Sequence, residues 1–323
     1  MLSRRQLLVG AAAVLAGATS CSRMSLKTEP EPAQEGPRPL LRVALLSDPH
    51  TEVSGHSVNK LGQALADYRP LRPDLWLFDG DVTNDGEVAQ YATFKKLLKG
   101  TVKEDQLLVT TGNHDLYDKT ATDAQEMQRF RDAFGFPVAY SNRVAGGLHF
   151  VMLATEQWKT APGSGDWAWL SPAQLRWFEQ VLGEHRDKVT VVSLHQPLQD
   201  TVYWSQGGTG NRFTGCGQIA ELNAILKKNA QVKVWLSGHT HMGAEIQGNV
   251  VAKNGVTYVG LGSTYYQFAP AEGAEAKFSG FKQNFDASQS RMLELWPDKV
   301  LIRTRDHAAK AWMEKYDLTL KRA

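Results

Sequence analysis

Five stretches of the sequence share one design, a run of strand-forming apolar residues that ends at a residue type able to bind a metal ion. They are residues 42–50, 75–81, 107–115, 189–195 and 232–241. The side chains at these ends are carboxylates, amides and imidazoles. This mixture of donors suits Mn, Fe or Zn and disfavours an all-oxygen Ca or Mg site. The five stretches therefore predict a transition-metal site.

Taken singly, each stretch has an ordinary explanation. Asp48 and His50 could form a strand-end turn held by a hydrogen bond from the aspartate side chain. A lone His195 is more often a structural histidine than a ligand. Segment 238–241, Gly-His-Thr-His, is the strongest. Alternate residues of an extended segment point the same way and could place both imidazoles on one metal pair.

The joint pattern is more specific than its parts, because five of the nine histidines lie at these strand ends. Those five are His50, His114, His195, His239 and His241. In open α/β sheets, ligands bind beyond the carboxyl ends of the strands, so we expect one shared site. The remaining histidines are interpreted as structural: His56, His149, His185 and His307.

Between the strands, apolar residues recur at helical spacing. Positions 58, 61, 65 and 68, and positions 88, 91, 94 and 98, predict two amphipathic helices after the first two strands. Ser171 followed by Pro172 predicts the start of a third helix, and residues 218–229 predict a fourth. This alternation indicates an α/β fold with a buried sheet.

The pattern changes after His241 to strand–turn–strand. Two such pairs are predicted, with strands at residues 244–251, 256–261, 291–296 and 299–304. We interpret them as a second sheet packed on the first, with helices outside. The polar segments 201–217 and 270–290 are predicted to be loops, and long loops in a compact domain are often functional.

The order Asp-x-His, Gly-Asp, Gly-Asn-His-Asp, His and Gly-His-x-His resembles the calcineurin-like metallophosphoesterase superfamily, from about residue 41 to the end. The cyclic-nucleotide and glycerophosphodiester phosphodiesterases of class III are nearest in layout. The resemblance implies a two-sheet αββα sandwich. It also implies two metal ions (Mn, Fe or Zn) and in-line attack of a metal-bridging hydroxide on a phosphodiester.

The same resemblance assigns the ligands residue by residue. The first metal is expected on Asp48, His50 and His241, the second on Asn113, His195 and His239, with Asp81 bridging the two. His114 matches a histidine that stays off the metals. It is expected to donate a hydrogen bond or proton to the leaving oxygen, with Asp115 orienting its ring. The alternative is that His114 only supports its loop.

Two further functions remain open at this point: a phosphomonoesterase of the same fold, and an envelope lipoprotein that keeps the fold without catalysis. No ligand is missing, which favours an enzyme. The loops after His195 and His241 offer candidate substrate contacts, namely Tyr203, Trp204, Arg212 and Tyr265. Ordinary loop packing is their alternative. One cation among aromatic residues favours a diester, since a monoester dianion usually needs Arg or Lys donors.

Residues 1–26 predict an export signal. Arg4 and Arg5 precede a short apolar run, and no charged residue occurs from Gln6 to Ser22. The run is too short to span a bilayer and resembles a bacterial twin-arginine signal. Residues 18–21 resemble a lipobox ending at Cys21. Cleavage near residue 20, or a disulfide from Cys21 to Cys216, are the alternatives.

Residues 27–39 contain four prolines and predict an extended linker, followed by one metallophosphoesterase domain at residues 40–323. The formal net charge is +2, and the three arginines of the first 26 residues leave −1 for the remainder. No basic footprint for nucleic acid remains. The expected partner is a small phosphoester. We expect a periplasmic or extracellular location, with membrane contact only through a lipid on Cys21.

Overall fold

Strands and helices alternate in the structure much as the residue pattern predicts. The computed structural model describes residues 37–161, 167–205, 215–270 and 281–321. Within these ranges the five α-helices are α1 (His56–Tyr68), α2 (Val88–Leu98), α3 (Asp123–Phe134), α4 (Pro172–Glu184) and α5 (Ile219–Lys228). Both main sheets belong to one unit, Pro39–Ala323.

The first sheet contains seven strands in the described residues. They are β1 (Leu41–Leu46), β2 (Leu75–Asp79), β3 (Leu107–Thr110), β12 (Gln289–Leu295), β13 (Lys299–Asp306), β14 (Ala311–Trp312) and β15 (Leu318–Lys321). Their order is β14-β13-β12-β1-β2-β3, with β15 also pairing β13. The neighbours β1, β2 and β3 are parallel, whereas β12 is antiparallel to β1.

The second sheet has six strands in the order β4-β5-β6-β7-β9-β8. They are β4 (Ser141–Ala145), β5 (Leu148–Leu153), β6 (Thr190–Leu194), β7 (Val232–Ser237), β8 (Val250–Lys253) and β9 (Val256–Gly260). Strands β5, β6, β7 and β9 are parallel. A separate hairpin pairs β10 (Gln267–Pro270) with β11 (Phe281–Asn284).

The two sheets and the helices on either side of them form four layers, and an apolar cluster lies between each adjacent pair. Alternate residues of β1 face opposite ways, so that Val43 and Leu45 pack between the sheets while Ala44 and Leu46 pack under α1, α2 and α3. On the far side, α4 and α5 cover the second sheet, for example at Trp235. This arrangement is the predicted αββα sandwich.

Several predicted elements are confirmed in detail. Ser171 caps α4, where its side chain accepts a hydrogen bond from the Gln174 N–H at 3.1 Å. Both central residues of the turn between β8 and β9 are left-handed, with φ of 53° at Asn254 and 80° at Gly255. That geometry is the Asn-Gly hairpin turn. One helix position differs, since Val88 at the start of α2 is 65% exposed.

The placement of the late strands was predicted wrongly. Strands β8 and β9 join the second sheet beside β7, whereas β12 and β13 join the first sheet beside β1. The strand predicted at residues 244–251 begins only at Val250, and Phe281–Asn284 is a strand within a predicted loop. Strand partners far apart along the chain are chosen by packing, which local pattern does not encode.

The N-terminal predictions lie outside the described structure. This applies to the signal at residues 1–26 and to most of the linker at residues 27–39. Cys216 is a fully buried thiol whose pKa burial raises to about 12, while Cys21 is not among the described residues. No helix in the described ranges is long and apolar enough to cross a membrane.

Candidate metal centre

The seven predicted ligands converge at one place, where the carboxyl ends of parallel strands from both sheets meet. Asp48 and His50 follow β1, Asp81 follows β2, Asn113 follows β3, His195 follows β6, and His239 and His241 follow β7. The registers explain the convergence, because Leu46 lies opposite Phe78 and Asp79 lies opposite Thr110. Neighbouring strands therefore end at the same edge.

The ligands form two groups that share one carboxylate. In the first group, donor atoms of Asp48, His50, Asp81 and His241 all lie within 4.8 Å of one another. In the second group the same holds for Asp81, His195 and His239. Asn113 joins the second group, since its Oδ1 lies 2.9 Å from Nδ1 of His239. A carboxylate common to two donor groups has the geometry of a bridging ligand.

Backbone carbonyls fix which nitrogen of two imidazoles faces the centre. Nδ1 of His195 donates to the Asp79 carbonyl at 2.6 Å, and Nδ1 of His241 donates to the Tyr266 carbonyl at 3.2 Å. Each ring is left with Nε2 toward the donor groups. Hydrogen bonds of this kind orient metal-binding histidines.

One buried atom tests whether a metal fits. Nε2 of His195 is buried and has no hydrogen-bond partner among the described residues, although it lies 3.1 Å from Oδ2 of Asp81 and 3.7 Å from Oδ1 of Asp48. Nε2 of His50 and Nε2 of His241 face each other at 3.0 Å. A buried imidazole nitrogen without a hydrogen-bond partner, beside two carboxylates and two further imidazole nitrogens, fits a cation at this place.

The charges of the metal-free centre follow from its crowding. Burial alone would raise the pKa of Asp48, but His241 and His195 lower it to about 2. Burial would lower the pKa of His195, yet Asp81 and Asp48 raise it to about 10. Burial and the nearby His114 lower the pKa of His50 well below its usual value. The centre therefore carries ionised aspartates and a protonated His195 when no metal is bound.

The backbone at the centre is strained. Five of the seven ligands have left-handed φ values: Asp48 (50°), His50 (43°), Asp81 (47°), His239 (65°) and His241 (49°). Residues other than glycine rarely adopt this conformation, and each instance costs about 1–3 kcal/mol. The chain turns sharply at the end of each strand, and this turn directs the ligands inward.

Glycines of the motifs allow close approach of the loops. A Cβ on Gly112 would lie 2.2 Å from Oδ1 of Asp81, and a Cβ on Gly238 would lie 1.9 Å from Oγ of Ser47. Ser47 in turn donates to Oδ2 of Asp48 at 2.5 Å. These two glycines are therefore needed because a side chain would displace the ligands or the residues that hold them.

His114 lies beside the first donor group, with its ring centroid 4.4 Å from that of His50. Its backbone N–H donates to Oδ1 of Asp81 at 2.8 Å. Nδ1 of the ring donates to the Asn84 carbonyl at 2.8 Å, because a carbonyl can only accept. The imidazole is therefore placed at the metal centre with Nδ1 already engaged.

The prediction that Asp115 orients the ring of His114 is wrong. The Asp115 carboxylate instead accepts hydrogen bonds from the N–H groups of Gly112 (2.9 Å) and Thr83 (3.0 Å) and from the Thr83 hydroxyl (2.7 Å). Burial and the charge of Asp81 raise the pKa of Asp115 to about 6. Asp115 thus ties the loop after β3 to the loop after β2, and the carbonyl of Asn84 takes the orienting role.

Aromatic residues surround the centre, although not all of those predicted touch it. Tyr265 lies 6.0 Å from His50 between ring centroids. Trp204 packs on Phe268 with centroids 5.2 Å apart, and Phe268 lies 6.0 Å from His241. Tyr203 packs against Phe281. Arg212 is outside the described residues.

Three aromatic residues near the centre were not among the predicted contacts. Tyr117 stacks on His114, Trp158 packs on Tyr117, and Phe285 lies 5.3 Å from Tyr265. Tyr117 follows His114 by three residues in a short helical turn, so its position in the sequence could have identified it. Trp158 and Phe285 have no such local signal.

The four histidines interpreted as structural lie apart from the seven ligands in the described contacts. His307 bonds Asp67 and Ser290, and His149 bonds Asn142 and Thr190. His185 packs on His149, while His56 packs on Tyr265 and Phe285 near the centre.

A two-sheet sandwich with paired Asp and His donor groups at its strand ends defines a metallophosphoesterase. The model of the calcineurin-like phosphoesterase family matches residues 41–243, and the chain belongs to this family. The match covers all seven predicted ligands and His114.

Relatives with names that state an activity share about a quarter of their residues with this chain. A probable cyclic nucleotide phosphodiesterase from Moraxella catarrhalis is 24% identical over 176 residues, which cover 53% of this chain and 59% of that protein. One from Synechococcus is 28% identical and covers 71% of this chain and 80% of that protein. A probable glycerophosphodiester phosphodiesterase from Arcobacter nitrofigilis is 24% identical, and the match covers 62% of this chain and 71% of that protein.

Solved structures support the fold. A dimetal phosphatase from Danio rerio superposes with a TM-score of 0.60 at 14% identity, covering 88% of this chain and all of that one. A purple acid phosphatase from Lupinus luteus gives a TM-score of 0.59 at 15% identity, and the superposition covers 88% of this chain and 55% of that one. At these identities the likeness concerns the fold alone.

Proposed function

We propose that this protein hydrolyses phosphodiesters with the help of two divalent transition-metal ions. The observation that carries the proposal is the pair of donor groups that share Asp81 and leave Nε2 of His195 buried without a hydrogen bond. Membership of the calcineurin-like phosphoesterase family supports the same reaction class. The names of three relatives support a diester rather than a monoester.

The donor set suits Mn, Fe or Zn, since imidazole nitrogens dominate it. Asp48, His50 and His241 would hold one ion, Asn113, His195 and His239 the other, and Asp81 both. When bound, such an ion pair supplies Lewis acidity toward phosphoryl oxygens and lowers the pKa of water.

Among the described residues outside the two donor groups, His114 is well placed to serve the leaving group. Because Nδ1 donates to the Asn84 carbonyl, Nε2 is the nitrogen left to meet an oxygen at the centre, and it gives a proton when the ring enters the reaction as an imidazolium. The ring is next to His50 but belongs to neither donor group. We therefore assign His114 the part of general acid, holding a proton on Nε2 until the leaving oxygen needs it.

The substrate is proposed to carry an organic group on each side of the phosphorus. Tyr265, Tyr266 and Phe285 form a group of rings beside His50 and His241, with centroid separations of 5.1–5.3 Å among the three. Such faces can pack against the second alcohol group of a diester. Cyclic nucleotides and glycerophosphodiesters, named for the relatives, are diesters to test first.

The proposal is tested by comparing 4-nitrophenyl methyl phosphate with 4-nitrophenyl phosphate on protein loaded with Mn, Fe or Zn. We expect a higher kcat/KM for the diester under the same metal and pH. A clear preference for the monoester would contradict the diester proposal. Metal-loaded protein that is inactive on a broad phosphoester panel would instead support the non-catalytic alternative.

The role of His114 has its own test. His114→Ala should keep two bound metals while kcat for an alkyl leaving group falls on the order of 10²–10⁴-fold. The loss should shrink for acidic leaving groups, which need no proton. An equal loss for all leaving groups, or loss of metal, would favour a loop-supporting role.

Location is proposed from the N-terminal residues alone. Arg4 and Arg5 before an uncharged run that ends at Cys21 support export by a twin-arginine route and lipid attachment to Cys21. A Cys21→Ser variant should then leave the membrane fraction while still being exported. Equal membrane retention of variant and wild type would exclude the lipid anchor, and cytoplasmic accumulation of the wild type would exclude export.

A further inference from the structure

The ring of His114 is covered on one face by an aromatic stack. Tyr117 lies parallel to it, with ring centroids 4.6 Å apart and planes 7° apart. Trp158 packs on Tyr117 at 4.8 Å. His50 meets the His114 ring at 82°, so that its contact is nearly perpendicular. His114 therefore lies between a stacked tyrosine and a metal ligand.

The stack joins two segments about forty residues apart, and an ion pair between an exposed lysine and a buried glutamate holds them together. Lys159, next to Trp158, forms a short contact through Nζ with the carboxylate of Glu126 in α3, which is fully buried. The same ammonium donates to the carbonyls of Asp118 (2.8 Å) and Ala121 (2.9 Å). Lys159 thus fixes the loop after Tyr117 as well as the residue beside Trp158.

The second carboxylate oxygen of Glu126 binds the segment that follows Tyr117. Its Oε1 accepts the N–H of Asp118 at 2.6 Å, directly after Tyr117. The Asp118 carboxylate also accepts a hydrogen bond from the guanidinium of Arg129 in α3 at 2.7 Å. Five polar contacts therefore hold the segments of Tyr117 and Trp158 together, although neither residue is a predicted metal ligand.

We infer that Tyr117 and Trp158, clamped by Lys159 and Glu126, are positioning residues that set the rotation of the His114 ring at the leaving-group side of the centre. The inference rests on the proposed function of His114 as general acid. One hydrogen bond, from Nδ1 to the Asn84 carbonyl, leaves the ring able to tilt about that bond. The parallel stack removes this freedom and holds Nε2 toward the donor groups.

A displaced acid is costly, because an error of about 1 Å in placing a reacting group can lower a rate on the order of 100-fold. Loss of the stack should therefore weaken proton donation selectively. Metal binding should be retained, since Tyr117 and Trp158 are not ligands and, of the seven predicted ligands, only Asn113 shares the loop of Tyr117.

The test uses Tyr117→Leu, which removes the ring but keeps apolar volume, and Tyr117→Phe, which keeps the ring. Tyr140→Leu is the matched control. Tyr140 packs on Trp177 at a centroid distance of 4.6 Å, the same as between Tyr117 and His114, and Tyr117 and Tyr140 are both partly buried. The substrates are methyl phosphodiesters with 4-nitrophenyl, phenyl and alkyl leaving groups.

We expect Tyr117→Leu to lower kcat roughly 10- to 100-fold for the alkyl leaving group and less than about two-fold for 4-nitrophenyl. Metal content should stay at the wild-type value. Tyr117→Phe should recover most of the loss, and Lys159→Met should show the same leaving-group dependence in weaker form. A uniform loss across leaving groups, or the same loss in Tyr140→Leu, would overturn the inference.

A readout independent of activity is the imidazole N–H proton of His114 in the NMR spectrum of the zinc-loaded protein, assigned by its absence in His114→Ala. The hydrogen bond to Asn84 protects this proton in the wild type. We expect faster exchange with water in Tyr117→Leu and not in Tyr117→Phe or Tyr140→Leu. Unchanged exchange would overturn the inference, whereas a wild type inactive on all diesters would overturn the proposed function alone.

Discussion

Two buried groups of histidine and aspartate in this protein look alike in composition and differ in hydrogen bonding and backbone conformation. One is the metal centre. The other, which we call the His307 network, consists of Asp67, Tyr68, Ser290, Arg305 and His307 behind the first sheet. In the network, His307 bonds Asp67 through Nδ1 (2.9 Å) and Ser290 through Nε2 (2.7 Å).

The network is satisfied. Arg305 donates to both oxygens of Asp67 at 2.8 and 2.7 Å, and Ser290 donates to the Tyr68 hydroxyl at 2.6 Å. Its Ser-His-Asp order is that of a hydrolase triad, but Ser290 is fully buried, and a substrate has no access to it.

The metal centre is the opposite. Nε2 of His195 has no hydrogen-bond partner among the described residues, and five of the seven predicted ligands have left-handed backbone. His307 does not have a positive φ. A buried nitrogen without a partner and a strained backbone together, rather than residue types, distinguish a site built for a ligand from a site built for stability.

The largest expected effect comes from Asp81. In Asp81→Asn, one negative charge is lost from between the two donor groups, so binding of both metals should weaken and kcat/KM should fall at least about 10²–10³-fold. Asp48→Asn should weaken mainly the first metal. Elemental analysis measures the bound metal, and two tightly held ions per chain in Asp81→Asn would contradict the bridging assignment.

The matching change in the network is Asp67→Asn, which removes the negative charge that Arg305 pairs with. We expect a loss of about 3 kcal/mol in the free energy of unfolding, measured by denaturant titration, with metal content unchanged. Burial would raise the pKa of Asp67, but Arg305 and His307 lower it. This stabilisation is therefore present above the unfolded pKa of about 3.9 and is lost as the pH falls toward the lower folded value.

The protonation of His195 predicts how metal affinity depends on pH. The metal-free centre holds a proton on His195, with a pKa of about 10, and Nε2 must lose that proton to bind a metal. Between pH 6 and 8 the affinity for the second metal should therefore rise about ten-fold per pH unit. Competition with a chelator of known affinity measures this. A pH-independent affinity would show that His195 is neutral or does not bind.

The smallest effect compares backbone strain. In metal-free protein, His241→Gly should be more stable than His241→Ala by about 1 kcal/mol, because glycine adopts φ of 49° without penalty. At His307, where φ is not positive, the order should reverse. Thermal unfolding of the four variants measures both differences. Equal stability of the Gly and Ala variants at position 241 would show that the strain is not real.

The strand ends and the candidate ligands were predictable because each depends on residues that are neighbours in the sequence. An apolar run followed by Gly-Asp or Gly-His specifies a buried strand and a sharp turn, so the residue pattern alone was enough to place Asp81 and His239. The predictions that were wrong depend on residues far apart in the sequence. The residue after His114 was expected to orient its ring, yet the carbonyl of Asn84, thirty residues earlier, does so.

The sequence by itself determined the α/β class, the strand-end positions of the seven candidate ligands and the starts of α4 and the β8–β9 turn, since each depends on residues within a few positions of one another. Only the tertiary structure decided which sheet received β12 and β13, that Asp115 ties two loops together, and that Trp158 lies over Tyr117. These outcomes join residues thirty or more positions apart. Packing and hydrogen bonding choose among such partners only when the whole chain is folded.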